Sequence, residues 1–231
     1  MCGRYSLATP DPGQIRARFP VGESVEIRRR YNVAPTDEVL AVTTDREGAP
    51  RGELLQWGLV PSWADSPKLG VKMINARLET VADKPAFRTA FQRWRCLIVA
   101  DGFYEWRRTG EGPRRPFHIT RDDGAPFAFA GLWSIWYGQE DAKLRTCTII
   151  TRPANAAIAE LHDRMPVILD PSREADWLDT ATPRGALEEI LTGLPAAHTA
   201  LQEVGLAVND ARHDEPDCLD PPAGEPQTAL F

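Results

Sequence analysis

Short runs of β-branched and aliphatic residues, separated by polar and turn-forming segments, recur along most of this chain. Runs of four to eleven such residues are typical of strands that are buried on one or both faces. The pattern predicts strands at 38–44, 95–100, 127–136, 144–151 and 167–169.

Apolar residues also recur at helical spacing in three places. Asp83 offers a capping side chain ahead of Pro85, and an apolar face follows as far as Trp94, which predicts a helix packed on the sheet. Two more helices are predicted, at 153–161 and, with a break near Pro183, at 172–191.

Strands and helices do not alternate regularly, so we expect an α+β fold and not a doubly wound parallel sheet. The 231 residues are 42% hydrophobic, which is enough for one sizeable core. We therefore predict a single compact domain of short, mostly antiparallel strands with a few interposed helices over residues 1–219. Residues 220–231 are acidic and contain proline, and they predict a disordered tail.

Several classes of protein are disfavoured by what the chain does not contain. It has no run of about 18 apolar residues for a membrane span and no apolar stretch of a secretory signal near its start, so we expect a cytoplasmic protein. Its four cysteines form no C-x-x-C pair, so we expect neither a metal site nor a disulfide framework. They lie at Cys2, Cys96, Cys147 and Cys218.

The net charge of −6 argues against a generally basic nucleic-acid binder. Residues 209–231 contain six acidic residues and one arginine, so this end carries −5 and the rest of the chain only −1. Arginines gather at 28–30, 93, 95, 107, 108, 114 and 115. Taken alone, these clusters are better read as solvated loops than as a groove that follows phosphates.

Cys2 is the first candidate for chemistry, because removal of Met1 would place both an α-amine and a thiol on one residue. The amine of such a terminus has a pKa of about 7.7 to 8.0. It can attack an aldehyde to give an imine, and the neighbouring sulfur then closes a thiazolidine ring. The alternative is that a second-position cysteine is accidental, at a frayed terminus.

Asn75 and Arg77 fall on one face of an alternating segment, with Ile74, Ala76 and Leu78 on the other. The polar face suits an anion or a polar ligand. The alternative is a strand edge that simply faces solvent.

Glu105 follows the Asp101-Gly102 pair, a tight-turn signal, and lies among aromatic residues. Such surroundings tend to raise the pKa of a carboxylate, which suits it to proton transfer near neutrality. A hydrogen-bonded structural glutamate is the alternative.

His162 is placed by the predicted pattern at the end of the helix at 153–161, where the helix dipole favours a protonated imidazole. Asp163, Arg164 and Pro166 follow it directly. A lone histidine is more often structural, so the hypothesis that His162 is catalytic depends on these neighbours.

Six short motifs, in order, resemble the SRAP (SOS-response-associated peptidase) family of abasic-site-processing proteins. They are Met-Cys-Gly-Arg-Tyr at 1–5, Arg-Tyr-Asn-Val-Ala-Pro at 30–35, Trp-Gly at 57–58 with Pro61 and Trp63, Asn-Ala-Arg at 75–77, Asp-Gly-Phe-Tyr-Glu-Trp at 101–106 and His-Asp-Arg-Met-Pro at 162–166. Val208-Asn209 near the end also fits.

The resemblance implies a protein that binds single-stranded DNA and captures the aldehyde of an abasic site as a thiazolidine, without a cofactor. It assigns catalysis to Cys2, Asn75, Glu105 and His162. It assigns DNA contacts to Arg4, Arg77, Thr151 and Arg164 at phosphates and to Pro35 and Trp63 at neighbouring bases. We expect the DNA-binding form to be a monomer.

Two other classes remain open at this stage. An N-terminal-nucleophile hydrolase, peptidase or amidotransferase would also expose Cys2, although the Asn-Gly pair that often supplies its oxyanion donor is absent. A non-catalytic single-strand-binding module would use the basic and aromatic residues alone. Mutation of Cys2 separates the second class from covalent capture.

Overall fold

The computed structural model describes residues 2–8, 11–107, 114–139, 142–193, 195 and 198–224. Twelve strands run through these residues. They are β1 Tyr5–Leu7, β2 Arg30–Val33, β3 Glu38–Thr44, β4 Pro50–Trp57, β5 Asn75–Arg77, β6 Arg95–Ala100, β7 Gly102–Arg107, β8 Arg115–Arg121, β9 Phe127–Tyr137, β10 Lys143–Pro153, β11 Arg164–Pro166 and β12 Thr199–Glu203.

The helices are short and lie between the strands. The α-helices are α1 Pro12–Arg18, α2 Arg88–Arg93, α3 Glu174–Leu178 and α4 Arg184–Ile190, and 3₁₀ turns lie at Pro67–Lys72, Pro171–Arg173, Leu206–Asn209 and Pro216–Leu219. None of the helices in the described part of the chain is long and apolar enough to span a membrane.

One sheet, here called the closed sheet, has the order β10-β4-β3-β6-β9, and β9 pairs with β10 again to complete the ring. β10 runs past the ring, where its second half pairs with β5 and β11. The pairings of β10 with β4 and with β5 are parallel and the other pairings of this sheet are antiparallel. The predicted α+β fold with mostly antiparallel strands is confirmed.

The second sheet, here called the open sheet, has the order β12-β8-β7-β1-β2, all antiparallel. The N-terminal strand β1 therefore lies between β2 and β7. This position fixes the segment that carries Cys2 beside the strand that carries Glu105.

Both faces of the closed sheet are buried. In β3, Leu40 and Val42 pack in a cluster with the apolar side chains of the four α-helices. Val39 and Ala41, on the other face, pack in a cluster with residues of the open sheet. Burial on both faces explains why these strands read as continuous apolar runs in the sequence.

The strands predicted at 38–44 and 95–100 are confirmed. The strand predicted at 127–136 extends by one residue, and the strand predicted at 144–151 extends by one residue at its start and two at its end. The segment 167–169 is not a regular strand. Val167 N donates to Ile150 O (2.9 Å) and Leu169 N donates to Ala128 O (2.9 Å). The segment therefore lies between β10 and β9, beyond the point where these two strands stop pairing with each other.

The helix predicted at 153–161 is wrong. β10 stays extended as far as Pro153, which pairs with Arg164, and Ala154 N donates to Asp163 O at 2.9 Å. The pairing on both sides leaves space only for overlapping turns, in which His162 N donates to Ile158 O at 3.0 Å. Pairing with β11 outweighs local helix propensity here.

The helix predicted from Asp83 begins later, at Arg88. Asp83 lies in a turn, where its N–H donates to Thr80 O at 3.2 Å, so it does not cap α2. Phe91 is nevertheless buried against the closed sheet as predicted. The break predicted near Pro183 is confirmed, because α3 ends at Leu178 and α4 begins at Arg184.

The arginine clusters are not all solvated loops. Arg95 is 2% exposed and donates to the carbonyls of Phe91, Gln92, Trp177 and Asp179, at the C-terminal ends of α2 and α3. Carbonyl groups at the C-terminal ends of helices lack intrahelical hydrogen-bond donors, and the Arg95 guanidinium donates to these carbonyls instead. The reading of Arg95 as a solvated loop residue is wrong, and Arg108 lies outside the described residues.

The acidic end of the chain packs along β2. Asp214 Oδ1 accepts hydrogen bonds from Tyr31 N (2.6 Å) and Asn32 N (2.7 Å), and Asp214 Oδ2 pairs with Arg30. Residues 206–219 thus cover the edge of the open sheet and form part of the domain. The tail predicted from 220 is described only as far as 224, so its disorder stays a prediction.

Candidate active site

Cys2 lies shortly before β1, which begins at Tyr5, and it is fully buried. Its Sγ donates to Arg4 O at 3.8 Å. Burial raises the pKa of the Cys2 thiol well above its ordinary value, and the charge of Glu105 raises it further. The thiol is therefore protonated at neutral pH in this structure, and a nearby group must accept its proton before sulfur can act as a nucleophile.

Asn75 holds Cys2 in place. As the first residue of β5 it is positioned by the parallel pairing with β10, and its Nδ2 donates to Cys2 O at 2.7 Å. Its Oδ1 is buried and has no hydrogen-bond partner among the described residues. A buried, unpaired carbonyl oxygen is costly, and this one can accept an N–H from a bound group. The predicted alternation holds, because Ala76 is buried and Arg77 exposed.

Glu105 lies in β7 beside the segment that leads to Cys2. β7 pairs with β1 through Phe103 and Tyr5, and Tyr104 N donates to Arg4 O at 3.0 Å. The Glu105 side chain is 3% exposed. Burial raises its pKa to about 7, with a further contribution from the negative charge of Asp163. At neutral pH the carboxyl is therefore close to half ionised and can both accept and donate a proton.

His162 lies in the loop between the turns at 156–161 and β11, so the expected helix dipole does not act on it. Its Nδ1 accepts the Arg164 N–H at 2.9 Å and lies 2.9 Å from Asp163 Oδ1. In the neutral imidazole, acceptance at Nδ1 assigns the ring proton to Nε2. Because Asp163 acts on the pKa of Glu105, this loop borders the same site.

The two residues assigned to base contacts, Pro35 and Trp63, are both accessible to solvent. Trp63 is 60% exposed, and its loop is fixed by the hydrogen bond from Trp136 Nε1 to Ala64 O at 2.6 Å. Pro35 is half-buried and precedes Thr36, whose φ of 79° is rare for a β-branched residue. Both surfaces suit stacking against planar groups.

The arginines assigned to phosphates differ in their surroundings. Arg77 is exposed at the end of β5. Arg4 is half-buried, and its Nη1 donates to Asn32 Oδ1 and to Val208 O, both at 2.9 Å. These neutral acceptors orient the Arg4 guanidinium.

Arg164 and Thr151 are more enclosed. Thr151 is fully buried and its hydroxyl donates to Ala76 O at 3.4 Å. Arg164 is 9% exposed and forms a two-point ion pair with the carboxylate of Glu79. Their assigned DNA contacts stay predictions, and Glu79 is a neighbour that sequence reasoning missed.

The model of the SOS response associated peptidase (SRAP) family matches residues 1–211. The chain belongs to the SRAP family. The abasic site processing protein YoaM of Bacillus subtilis is 40% identical to it over 226 residues, which cover 95% of this chain and 98% of that protein. The abasic site processing protein YedK of Escherichia coli is 31% identical over 233 residues, with coverage of 96% and 100%.

Solved structures share the SRAP fold. A protein from Bacteroides thetaiotaomicron superposes with a TM-score of 0.82 over 95% of this chain and 99% of that chain, at 20% sequence identity. A protein from Bordetella bronchiseptica superposes with a TM-score of 0.76 over 89% of this chain and all of its own, at 28% identity. The first of these likenesses concerns the fold alone.

A buried polar cluster in the SRAP domain joins β1, the residue between β6 and β7, and β8. Ser6 Oγ donates to Asp101 Oδ1 at 2.7 Å and lies 2.8 Å from His118 Nε2, and Ala8 N donates to Asp101 Oδ2 at 2.8 Å. A Cβ atom on Gly102 would lie 2.1 Å from His118 Nε2. Asp101-Gly102 does not form a hairpin, because β6 before it belongs to the closed sheet and β7 after it belongs to the open sheet. Glycine at 102 leaves space for the His118 imidazole.

Sequence reasoning missed this cluster because its members are far apart along the chain and no local motif links them. The members are buried and their hydrogen bonds connect the strand that follows Cys2 to the strand that contains Glu105. The cluster thus fixes the relative position of two candidate catalytic segments.

His118 makes the stability of the domain dependent on pH. Burial lowers the pKa of His118 to about 4, against 6.5 in the unfolded chain. Between these values the unfolded chain binds a proton at His118 that the folded chain does not. The unfolding free energy is therefore highest above about pH 6.5, and the part that depends on neutral His118 is lost as pH falls to 4. Relative to the wild type, His118→Gln should gain up to roughly 3 kcal/mol of unfolding free energy between pH 7 and 4.

Urea unfolding of both proteins across that range measures the difference. Glu105 titrates with the opposite sign in the same range, but it is present in both proteins and cancels in the comparison. A constant difference between wild type and variant would show that His118 is not buried in its neutral form.

Among the described residues, His213, Asp217 and Cys218 could bring metal-binding atoms within 4.8 Å of one another. Hydrogen bonds already join them, from His213 Nε2 to Asp217 Oδ1 (2.6 Å) and from Cys218 Sγ to His213 O (3.5 Å). These contacts account for the cluster without a metal ion, and the expectation of no metal site stays a prediction.

Proposed function

We propose that this SRAP protein binds single-stranded DNA at an abasic site and, after removal of Met1, captures the ring-opened sugar aldehyde as a thiazolidine on Cys2. The observation that carries the proposal is the environment of Cys2. Its backbone is held by Asn75, and its thiol lies within the electrostatic influence of Glu105, a carboxyl with a pKa of about 7. The site thus combines a fixed terminus with a proton acceptor.

The names of the relatives point to the lesion. YoaM and YedK are named abasic site processing proteins, and each matches almost the full length of this chain. Processing of a DNA lesion is therefore the activity class that we assign to this protein. An abasic nucleotide has no base to unstack, so turning its sugar into a buried site costs little.

The chemistry needs several proton transfers in its forward direction. Glu105 accepts a proton from the Cys2 ammonium, and the neutral amine adds to the aldehyde carbon while one N–H proton passes to the aldehyde oxygen, which gives a carbinolamine. Glu105 then returns its proton to the hydroxyl, which leaves as water, and accepts the remaining N–H proton as the imine forms. Cys2 sulfur then adds to the imine carbon while its proton passes to the imine nitrogen, which closes the ring. The Oδ1 of Asn75 is placed to accept the amine N–H and hold nitrogen at attack distance.

We assign reversal of the ring to His162. Ring opening must protonate the thiazolidine at sulfur or nitrogen, and a histidine titrates in the range where such shuttling is efficient. The imidazole is half-buried, and its Nδ1 accepts the Arg164 N–H. Any lyase-like or peptidase reaction, including self-removal of Met1, belongs to the same site in this proposal.

Single-stranded DNA is the partner that we propose, with the protein acting as a cytoplasmic monomer. The exposed Trp63 and Arg77 support a single strand, because stacking and phosphate contacts need no paired bases. An N-terminal-nucleophile hydrolase would use the same Cys2, but it requires a donor for an oxyanion, and no Asn-Gly pair supplies one.

Intact-mass measurement after mixing with a single-stranded oligonucleotide that carries one abasic site tests the proposal. The expected product has the mass of the protein without Met1 plus the oligonucleotide, less one water. An oligonucleotide without the lesion should give no adduct. Active material that retains Met1 would contradict the thiazolidine, because the aminothiol exists only at a free terminus.

Binding should prefer single strands and weaken with salt. Three phosphate contacts, from Arg4, Arg77 and Arg164, set a limit near −2 for the slope of log affinity against log salt, at about −0.7 per contact, and an arginine that a carboxylate compensates contributes less. Arg77→Ala should lower the affinity and make the slope shallower by about 0.7, without changing any base preference. Fluorescence anisotropy with several undamaged sequences measures both quantities. Equal affinity for intact duplex would count against this interface.

A further inference from the structure

Arg164 is held from two sides by different kinds of acceptor. Its Nη2 donates to the backbone carbonyl of Thr151 at 2.6 Å, inside the sheet. Its Nη1 and Nη2 also meet the two carboxylate oxygens of Glu79, the second at 3.0 Å. The guanidinium is therefore fixed by the sheet and neutralised by one side chain.

The two partners of Arg164 differ in mobility. Thr151 is fully buried in β10, so its carbonyl cannot leave. The Glu79 side chain is 46% exposed and lies beyond the end of β5, so its carboxylate can turn into water. If Glu79 moves away, Arg164 keeps its position and presents a free fork.

The geometry of the pair matches that of a phosphate contact. An arginine fork binds two oxygens of a carboxylate or of a phosphate in the same planar arrangement. Arg77 is exposed only two residues before Glu79. The positive charges of Arg164 and Arg77 both act on the Glu79 carboxylate, so Glu79 lies near two of the arginines assigned to phosphates.

We propose that Glu79 is an internal competitor for the phosphate backbone at Arg164 and so sets the affinity of this site for single-stranded DNA. The inference rests on the proposed function and deepens it. A DNA phosphate must displace the Glu79 carboxylate before it can bind Arg164. Because the Arg164–Glu79 ion pair is lost in that step, both the affinity for DNA and the number of counterions released are lower than for an unpaired arginine. The protein therefore holds an undamaged strand weakly, and the covalent step retains the strand that carries a lesion.

The test uses Glu79→Gln, which keeps the side-chain shape and removes the charge. Binding of a labelled undamaged oligothymidylate, measured by fluorescence anisotropy, should tighten roughly threefold to tenfold. The slope of log affinity against log salt should become steeper by about 0.7, because phosphate now meets an arginine without a protein counter-ion.

Glu188→Gln is the matched control, because Glu188 is an exposed glutamate paired with Arg184 on α4 and loses the same charge. It should change the affinity much less. A second comparison places Glu79→Gln in an Arg77→Ala background. The gain should persist there if it acts through Arg164, and it should vanish if Glu79 merely screens Arg77.

Several outcomes overturn the inference. Weaker binding by Glu79→Gln would make Glu79 a positioning residue for Arg164, and equal gains in Glu79→Gln and Glu188→Gln would reduce the effect to net charge. Loss of the gain in the Arg77→Ala background would also refute it. If the wild type binds the strand and Glu79→Gln shows no gain, only this inference fails. If no variant binds DNA, the proposed function fails with it.

Discussion

Cys2→Ala should reduce the stable protein–DNA adduct to below about 1% of the wild-type yield, because no sulfur remains to close the ring. Ring closure by the neighbouring thiol is intramolecular and has a very high effective concentration, which makes the thiazolidine persist where an open imine hydrolyses. Denaturing electrophoresis and intact mass after incubation with an abasic oligonucleotide measure the yield.

The control separates loss of sulfur from loss of fold. Cys218→Ala removes another buried thiol and should keep the adduct. Cys2→Ala and Cys2→Ser retain a terminal amine once Met1 is removed, so a reductant should trap their imine although no stable product forms. A Cys2→Ala adduct as stable as that of the wild type would refute the thiazolidine.

Glu105→Gln should slow capture by about 10²- to 10⁴-fold, the usual contribution of a positioned acid or base. The amide cannot accept a proton from the Cys2 ammonium, and imine formation requires the neutral amine. Because the pKa of Glu105 is raised to about 7, the wild-type rate should increase with pH through that value. The variant should lose this component and retain only the rise due to the amine itself.

His162→Ala provides the complementary arm of the same measurement. It should slow release more than capture, because we assign to it the proton transfers of ring opening. The two time courses are adduct formation from free oligonucleotide and transfer of preformed adduct to excess competitor, each from about pH 5.5 to 8.5. If Glu105→Gln left capture unchanged while His162→Ala stopped it, the two roles would be exchanged.

The sequence alone identifies several strands and the residue types of the site. Glu38–Thr44 and Arg95–Ala100 were predictable because strands buried on both faces must be apolar throughout. The alternation around Asn75 was predictable because successive strand residues face opposite sides. The direction of the shift in the pKa of Glu105 was predictable from the apolar composition of its segment, and its cause in the structure is burial, with a contribution from Asp163.

Local patterns failed where a distant strand competed for the same backbone. The segment at 153–161 has helical character, but Pro153 pairs with Arg164, and that pairing leaves only turns. Asp83 resembles a helix cap, yet it lies in a turn before α2. The backbone of 153–161 lost its helix to a partner beyond the segment, in β11, whereas the Asp83 N–H donates to Thr80 O within the same turn.

The sequence by itself thus determined the fold class, the strands with continuous apolar runs and the presence of Cys2, Asn75, Glu105 and His162. Only the tertiary structure decided which charges are compensated. It paired Arg164 with Glu79, packed Asp214 against β2 and joined Ser6, Asp101 and His118 in one cluster. The physical reason is that hydrogen bonds and ion pairs depend on distances of about 3 Å, which arise only when strands remote in sequence become neighbours.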